Sequence, residues 1–200
     1  MPIEFPVKPH SNDTPHFRGL FIGINRFASP RVPNLASAVR DADALHALFA
    51  DNLGGINVKL ADEAATRDRL ISELDTLATS AGHDDVVVIT FSGHGTDTHE
   101  LVTYDADPLD FRGTCLSLDE LTDRVSAIKA RHLLVVLDCC FSGGAGSKVL
   151  HAPLRPRGAT DRALLSTDAM LEQMAGTGRL ILTASTAEQV LIEAADALTA

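Results

Sequence analysis

Two reactive side chains, a histidine and a cysteine, follow apolar runs that have the composition of buried strands. His94 ends the run Asp85-Val-Val-Val-Ile-Thr-Phe-Ser-Gly-His94, and Cys140 ends the run Leu133-Leu-Val-Val-Leu-Asp-Cys-Cys140. Parallel strands of this kind deliver the residues after them to one edge of an open α/β sheet. A thiol is mostly protonated at neutral pH, so a nucleophilic cysteine needs a base beside it. The pair therefore predicts a cysteine peptidase, in preference to a buried structural cysteine and a surface histidine.

The elements that must position these residues alternate between strands and helices along the chain. Apolar spacing predicts strands at 20–24, 57–61, 85–91, 133–138 and 179–184, and helices at 35–53, 66–81 and 117–128. The last of these helices opens with a capping box, Ser117-Leu-Asp-Glu120. A small hairpin is expected between 92 and 110, and a weak helical stretch near 164–175. The alternation predicts an α/β fold with a mostly parallel central sheet and helices on both faces.

Composition excludes several classes of protein. The chain has 200 residues, 45% of them hydrophobic, and a net charge of −10, which disfavours a nucleic-acid-binding surface. Three cysteines without a repeated CxxC pair disfavour a disulfide framework and a structural zinc site. The start of the chain carries no secretory signal, and no apolar stretch has the length of a membrane span. We therefore expect a soluble cytoplasmic protein that binds neither nucleic acid nor membranes.

Five short motifs in order make the chain similar to the caspase-like cysteine peptidases, and most similar to bacterial metacaspases and orthocaspases. The resemblance covers roughly Phe17 to Glu193. Its motifs are Gly19-Leu-Phe-Ile-Gly-Ile-Asn25, Leu35 through Asp41-Ala42, Ser92-Gly-His-Gly95, Asp138-Cys-Cys-Phe-Ser-Gly143, and Leu182-Thr-Ala-Ser185 with Glu188 and Glu193. It implies a caspase-like three-layer α/β/α fold and an endopeptidase activity, with no required cofactor.

The resemblance also implies roles for the site residues. Cys140 corresponds to the nucleophile and His94 to its base, and the backbone N–H groups of Gly95 and Cys140 correspond to the oxyanion hole. Cys139 stands where relatives carry a small or sulfur-containing residue, so it is expected to pack. Phe141 departs from the family, which usually has histidine after the nucleophile. No third catalytic side chain is evident, and the family does not need one.

Substrate choice is predicted from acidic residues. In metacaspases the residues matching Asp41, Ser92 and Asp138 line a pocket for a substrate Arg or Lys. A buried carboxylate pair is costly unless a cation fills it, so such a pocket selects basic side chains. The alternative is that Asp138 caps a loop and Asp41 is a solvated helix residue.

The long segment after the nucleophile suggests autoprocessing. We expect an N-terminal arm at 1–16 and a peptidase domain at 17–200. That domain divides into a large-subunit-like part (17–145), a linker (146–178) and an incomplete small-subunit-like part (179–200). Basic residues in the linker are candidate autocleavage sites, unless they only balance the acidic surface; they are Lys148, Arg155, Arg157 and Arg162. After the last strand, Thr186-Ala-Glu-Gln189 has the form of a helix start, whereas the family places an irregular substrate-groove segment there.

Other interpretations stay open. Some metacaspases are activated by calcium through acids in the region of Asp105, Asp107, Asp110, Asp119 and Glu120, although acids at turns and helix starts are common. A catalytically silent caspase-like scaffold in a larger bacterial signalling or defence protein is the main rival. A redox or metal protein using Cys139 and Cys140 is a weaker one. The expected partners are peptide substrates with Arg or Lys at the cleavage site, and further domains or a partner chain that completes the small-subunit part.

Overall fold

A five-stranded parallel sheet forms the centre of the protein. The computed structural model describes residues 16–141, 149–150 and 178–183, of which 149–150 are described by backbone alone. The sheet strands are β1 (Phe17–Gly23), β2 (Ile56–Ala61), β3 (Val86–Ser92), β7 (His132–Asp138) and β9 (Arg179–Thr183). Their order is β2-β1-β3-β7-β9, and every neighbouring pair is parallel. The predicted mostly parallel sheet is confirmed.

Helices cover both faces of this sheet. Helix α1 (Ala38–Leu53) packs on one face, where Leu45 and Phe49 contact the cluster formed by Phe17, Phe21 and Val88. Helices α2 (Arg67–Ser80) and α4 (Leu118–Ala127) pack on the other face and contribute to the larger apolar core. The connection from β1 to β2 and the connection from β2 to β3 move across the sheet in opposite directions. Right-handed crossovers therefore put α1 and α2 on opposite faces. The change of direction falls between β1 and β3, where open α/β sheets form a crevice at their carboxyl ends.

A second, smaller sheet lies beyond the carboxyl end of β3. It consists of β4 (Gly95–Thr96), β5 (Glu100–Leu101), β6 (Leu116–Ser117) and β8 (Val149–Leu150), in the order β6-β5-β4-β8. Strands β4 and β5 are antiparallel, so they form the small hairpin expected in this region. A short helix α3 (Phe111–Thr114) and a 3-10 turn at Asp62–Ala64 complete the described elements.

The ends of the helices follow from local hydrogen bonds. Helix α4 begins with the predicted capping box, in which Ser117 Oγ accepts from the Glu120 N–H and the Glu120 carboxylate accepts from the Ser117 N–H. Helix α1 begins at Ala38 and not at residue 35. Asn25 accounts for the difference, because its carbonyl accepts from the Leu35 N–H and its side-chain amide donates to the Ala36 carbonyl, which holds this segment as a loop.

Several sequence predictions fall outside the described residues. They concern the N-terminal arm up to residue 15, the helical stretch near 164–175, most of the linker at 146–178 and the capping box at 186–189. Across the part of the chain that is described, no helix combines the length and apolar character needed to cross a membrane.

Candidate active site

The carboxyl ends of β1, β3 and β7 bring the predicted site residues to one edge of the sheet. Gly23, Ser92 and Asp138 are aligned across these three strands. Each residue of β3 pairs with the residue 46 positions later in β7, and Cys140 stands 46 positions after His94. Ser92 and Asp138 are the last aligned pair of these adjacent parallel strands, and His94 and Cys140 stand two residues after them.

A direct backbone contact confirms that the two segments meet. A Cβ atom built on Gly95 would overlap the carbonyl oxygen of Cys140 and would lie 3.2 Å from Cδ1 of Phe141. Glycine is thus required at position 95, because the chain after His94 passes against the chain after Cys139. On the β7 side, the Gly93 N–H donates to the Asp138 carbonyl at 3.3 Å. The histidine loop is fixed to the cysteine loop by these contacts.

The imidazole of His94 is held by a carbonyl and a ring. Its Nε2 lies 2.8 Å from the backbone oxygen of Pro33, and its ring centroid lies 5.3 Å from that of Phe27. His94 is 3% exposed. A carbonyl oxygen can only accept, so Nε2 carries the hydrogen and, in the neutral ring, Nδ1 carries the lone pair. The contact leaves Nδ1 as the basic nitrogen.

The loop that carries Pro33 is anchored by Asn25 and Asp62. Asn25 Oδ1 accepts from the Val39 N–H at 3.2 Å, and Asp62 accepts from the Asn25 and Arg26 N–H groups at 2.8 and 2.9 Å. Burial raises the pKa of Asp62. The backbone hydrogen bonds and the Arg26 guanidinium lower it by more than burial raises it, so its net pKa is below the ordinary value. The carboxylate is therefore held in its charged form, as an acceptor for this loop.

The three cysteines have different surroundings. Cys139 is 1% exposed and belongs to the large apolar core, which agrees with the packing role expected of it. Cys140 is fully buried and lies outside that core cluster. Burial raises the pKa of the Cys115 thiol to about 12. All three cysteines lie in the described part of the chain, and none forms a disulfide there.

The predicted substrate pocket is in part assembled. Ser92 Oγ donates to Asp138 Oδ2 at 2.8 Å, so these two residues are brought together. Asp41 lies in the first turn of α1, beside Ala42, whose Cβ would lie 2.7 Å from a Cβ on Gly23. Asp41 is half-buried, and within the described residues its carboxylate has neither a hydrogen bond nor an ion pair. The structure thus places Asp41 at the same sheet edge, without a contact that joins it to Asp138.

Four of the five acidic residues considered for calcium have local partners in the structure, namely Asp105, Asp107, Asp110 and Glu120. Asp105 accepts from the Arg67 N–H, Asp110 caps α3 at Gly113, and Glu120 pairs with Arg67 at 2.6 Å. Among the described residues no group of three or more His, Cys, Asp or Glu side chains is arranged to hold a metal ion. The calcium hypothesis remains a prediction. The candidate autocleavage residues Lys148, Arg155, Arg157 and Arg162 lie outside the described residues.

Sequence reasoning missed four contributors to this site. They are the Pro33 carbonyl, the Phe27 ring, and the anchoring side chains of Asn25 and Asp62. A backbone carbonyl leaves no signal in a sequence. Asn25 could have been found, because a polar residue directly after an apolar strand is a common site for a loop-fixing side chain.

The geometry defines a class of protein, and the comparisons agree with it. A parallel α/β sheet with a histidine and a cysteine after adjacent strands is an arrangement suited to thiolate catalysis. The caspase domain family matches residues 17–198 of this chain. Metacaspase-3 of Trypanosoma cruzi is 30% identical over 161 residues, which are 71% of this chain and 43% of that protein.

The fold has a counterpart among solved structures. The crystal structure of a structural-genomics protein from Geobacter sulfurreducens matches with a TM-score of 0.53 and 23% identity, over 63% of this chain and 51% of that one. The chain thus spans about half the length of these two proteins. It belongs to the caspase domain family and is related to metacaspases. This relationship supports a cysteine-protease-like function.

Proposed function

We propose that this protein is a cysteine endopeptidase that hydrolyses peptide bonds after Arg or Lys, with Cys140 as nucleophile and His94 as base. The observation that carries the proposal is the alignment of His94 and Cys140 beyond the paired ends of β3 and β7. The contact between Gly95 and the Cys140 backbone supports it. Membership of the caspase domain family supports the same reaction class.

The reaction we propose uses the basic nitrogen assigned above. His94 Nδ1 takes the proton of the Cys140 thiol, and the thiolate sulfur forms a bond to the carbonyl carbon of the scissile peptide. The Pro33 carbonyl, at 2.8 Å from Nε2, orients the ring and stabilises the imidazolium. The Nδ1 proton then passes to the leaving amine as the C–N bond breaks. Water, activated by the same nitrogen, cleaves the thioester and restores the thiol.

The tetrahedral intermediate needs donors for its oxygen. We assign this role to the backbone N–H groups of Gly95 and Cys140, which lie on the two segments that meet at the sheet edge. The close approach of these segments supports the assignment, because two donors must converge on one oxyanion. A side chain at position 95 would crowd the incoming carbonyl as well as Cys140.

Selection of a basic side chain is proposed from charge. Asp138 is held by Ser92, and the half-buried Asp41 carboxylate lies at the same edge of the sheet. A guanidinium or ammonium group would neutralise these carboxylates, whereas a substrate Asp would add a like charge. We therefore expect Asp41→Asn and Asp138→Asn to reduce kcat/KM for Arg substrates about 10- to 100-fold. Asp43→Asn is the matched control, since Asp43 lies on the same helix and pairs with Lys59 on the surface.

Fluorogenic peptides ending in Arg, Lys or Asp test this proposal. The wild type is expected to cleave after Arg and Lys, and Cys140→Ala and His94→Ala are expected to abolish cleavage. Cys139→Ala serves as control, because a packing cysteine can be replaced with retention of the reaction. Parallel assays with calcium and with a chelator decide whether calcium activates. Equal rates for Cys140→Ala and wild type would contradict the mechanism, and an inert wild type would favour the silent scaffold.

We further propose that activity is regulated, by autoprocessing or by other domains. Cys140 is fully buried and His94 is 3% exposed, so access to the sulfur is restricted in this structure. Basic residues suited to the proposed specificity stand shortly after the nucleophile, at Lys148, Arg155, Arg157 and Arg162. Incubation followed by intact-mass measurement tests the idea. Cleavage at these residues in the wild type and not in Cys140→Ala is expected, and an uncut active enzyme would contradict autoprocessing.

A further inference from the structure

The turn of the β4–β5 hairpin contains a histidine in an unfavourable backbone conformation. His99 has a φ of 67°, in the left-handed region, and its N–H donates to the Thr96 carbonyl at 3.2 Å. A three-residue hairpin loop normally places Gly at such a position, because a side chain strains the backbone there. The presence of a histidine at this position suggests that its side chain has a use that offsets the strain.

The imidazole of His99 packs against the residue after the nucleophile. The ring centroids of His99 and Phe141 are 6.1 Å apart, with an angle of 61° between the planes. Phe141 is 7% exposed, and its Cδ1 also lies close to Gly95 at the other end of the hairpin. The Phe141 ring is therefore in contact with the hairpin near both of its ends. Because Phe141 follows Cys140 directly, this packing fixes the backbone that carries the nucleophile.

The surroundings of His99 favour a neutral ring. Burial lowers the pKa of His99, and Arg112 adds to this effect, while Glu100, Asp119 and Asp97 oppose it, with a net pKa below the ordinary value. Its Nδ1 is buried and has no hydrogen-bond partner among the described residues. A proton placed on this nitrogen would be a buried donor without an acceptor, which the ring can relieve only by moving. Such a movement would break the contact with Phe141.

We propose that His99 is a positioning residue, which holds Cys140 in reactive geometry through its packing on Phe141 and does so only while its ring is neutral. This inference rests on the proposed peptidase function of Cys140 and His94. His99 itself touches no reacting atom. It acts through Phe141, so its loss lowers kcat and leaves KM nearly unchanged.

Two substitutions separate the effect of the His99 ring from the effect of backbone strain. His99→Gly removes the ring and relieves the left-handed strain, so a loss of activity cannot be attributed to backbone strain. We expect kcat to fall at least 10-fold, with KM within about 3-fold of wild type. His99→Phe keeps a ring against Phe141 without a titrating nitrogen, and should retain most of kcat. His83→Phe is the control, because His83 is exposed and pairs with Asp84.

The pH profile supplies a readout that a purely structural role would not change. In wild type, kcat/KM should fall by more than 10-fold per pH unit, a slope above one, over part of the acid range, because protonation of His94 and protonation of His99 each lower the rate. In His99→Phe the slope should approach one, and in His83→Phe it should match wild type. An unchanged slope in His99→Phe, or wild-type kcat in His99→Gly, would overturn the inference.

Thiol alkylation distinguishes failure of this inference from failure of the proposed function. If the wild type cleaves no peptide, the proposed function fails, and alkylation of Cys140 by iodoacetamide still reports its geometry. Because Cys140 is fully buried, the rate at pH 7 is divided by the rate at pH 9.5, so that access to the sulfur cancels. A ratio at least 5-fold lower in His99→Gly than in wild type would support the positioning role. Equal ratios would refute it, whatever the peptidase assay shows.

Discussion

Replacing Gly95 with alanine should disable the site without unfolding the protein. Gly95 does not have a left-handed φ, so its backbone accepts alanine, but the added methyl would overlap the Cys140 carbonyl oxygen and lie 3.2 Å from the Phe141 ring. Ordinary carbon contacts are about 3.5–4 Å, so the Cys140 segment must retreat by about 1 Å. A misplacement of that size costs roughly 100-fold in rate, or about 2.7 kcal/mol of transition-state stabilisation.

The assay is kcat/KM for an Arg-terminated fluorogenic peptide, together with the unfolding temperature of each variant. Gly82→Ala is the matched control, because a Cβ at that position would meet the Asp85 carboxylate at an ordinary contact distance of 3.8 Å. Gly95→Ala should lose activity about 100-fold, whereas Gly82→Ala should stay near wild type. Activity of Gly95→Ala within 3-fold of wild type would refute the argument that the histidine and cysteine segments are pressed together.

Three further predictions concern stability and thiol chemistry. Burial raises the pKa of Asp85. This effect is outweighed by hydrogen bonds from Arg18 and from the His16 and Gly82 N–H groups, together with the Arg18 charge, so the net pKa is lowered to about 2. This stabilisation is complete above the unfolded pKa near 3.9 and is lost as the pH falls through about 2; after allowance for solvent screening it is ~1–2 kcal/mol. Urea denaturation of Asp85→Asn should show this loss of unfolding free energy at pH 7 and a much smaller loss near pH 2. The exposed Asp84→Asn should match wild type. Equal losses at both pH values would contradict the link between the Asp85 pKa and stability. Ser117→Ala removes the cap of α4 and should lower the free energy of unfolding by about 1 kcal/mol. Ser126→Ala, on the exposed side of the same helix, should change it very little. Equal effects of the two substitutions would show that the cap contributes little. Cys115, with its pKa raised to about 12 by burial, should resist iodoacetamide at pH 8 until the protein is unfolded, and rapid native labelling found by peptide mapping would contradict that burial.

The sequence was sufficient for the elements that are determined by local pattern. The runs that became β3 and β7 are β-branched and apolar, so their type could be inferred without a partner. Burial on both faces holds for β3, whereas alternate residues of β7 are only half-buried. The capping box at Ser117 depends on residues three apart, and the structure forms it as predicted. The parallel sheet, and the position of His94 and Cys140 after strands that end at the same edge, follow from the alternation of strands and helices, whereas the order of the strands came from the structure.

What could not be predicted depends on contacts between distant segments. The orientation of His94 is set by the Pro33 carbonyl, 61 residues away, and a carbonyl is present in every residue of the chain. Helix α1 begins three residues later than its apolar spacing predicts, because Asn25 holds the segment at Leu35 as a loop. The contact between His99 and Phe141 joins a hairpin turn to the residue after the nucleophile, and neither residue type signals it alone.

The central claim is that Cys140, activated by His94, reacts with a carbonyl next to a basic side chain. The most direct test is covalent labelling of the native protein with peptidyl acyloxymethyl ketones that carry Arg or Asp, followed by peptide mapping of the modified cysteine. The account predicts that the Arg reagent labels Cys140 alone, that the Asp reagent labels far more slowly, and that His94→Ala abolishes labelling. Labelling of Cys139 or Cys115, a preference for the Asp reagent, or no labelling of Cys140 would contradict it.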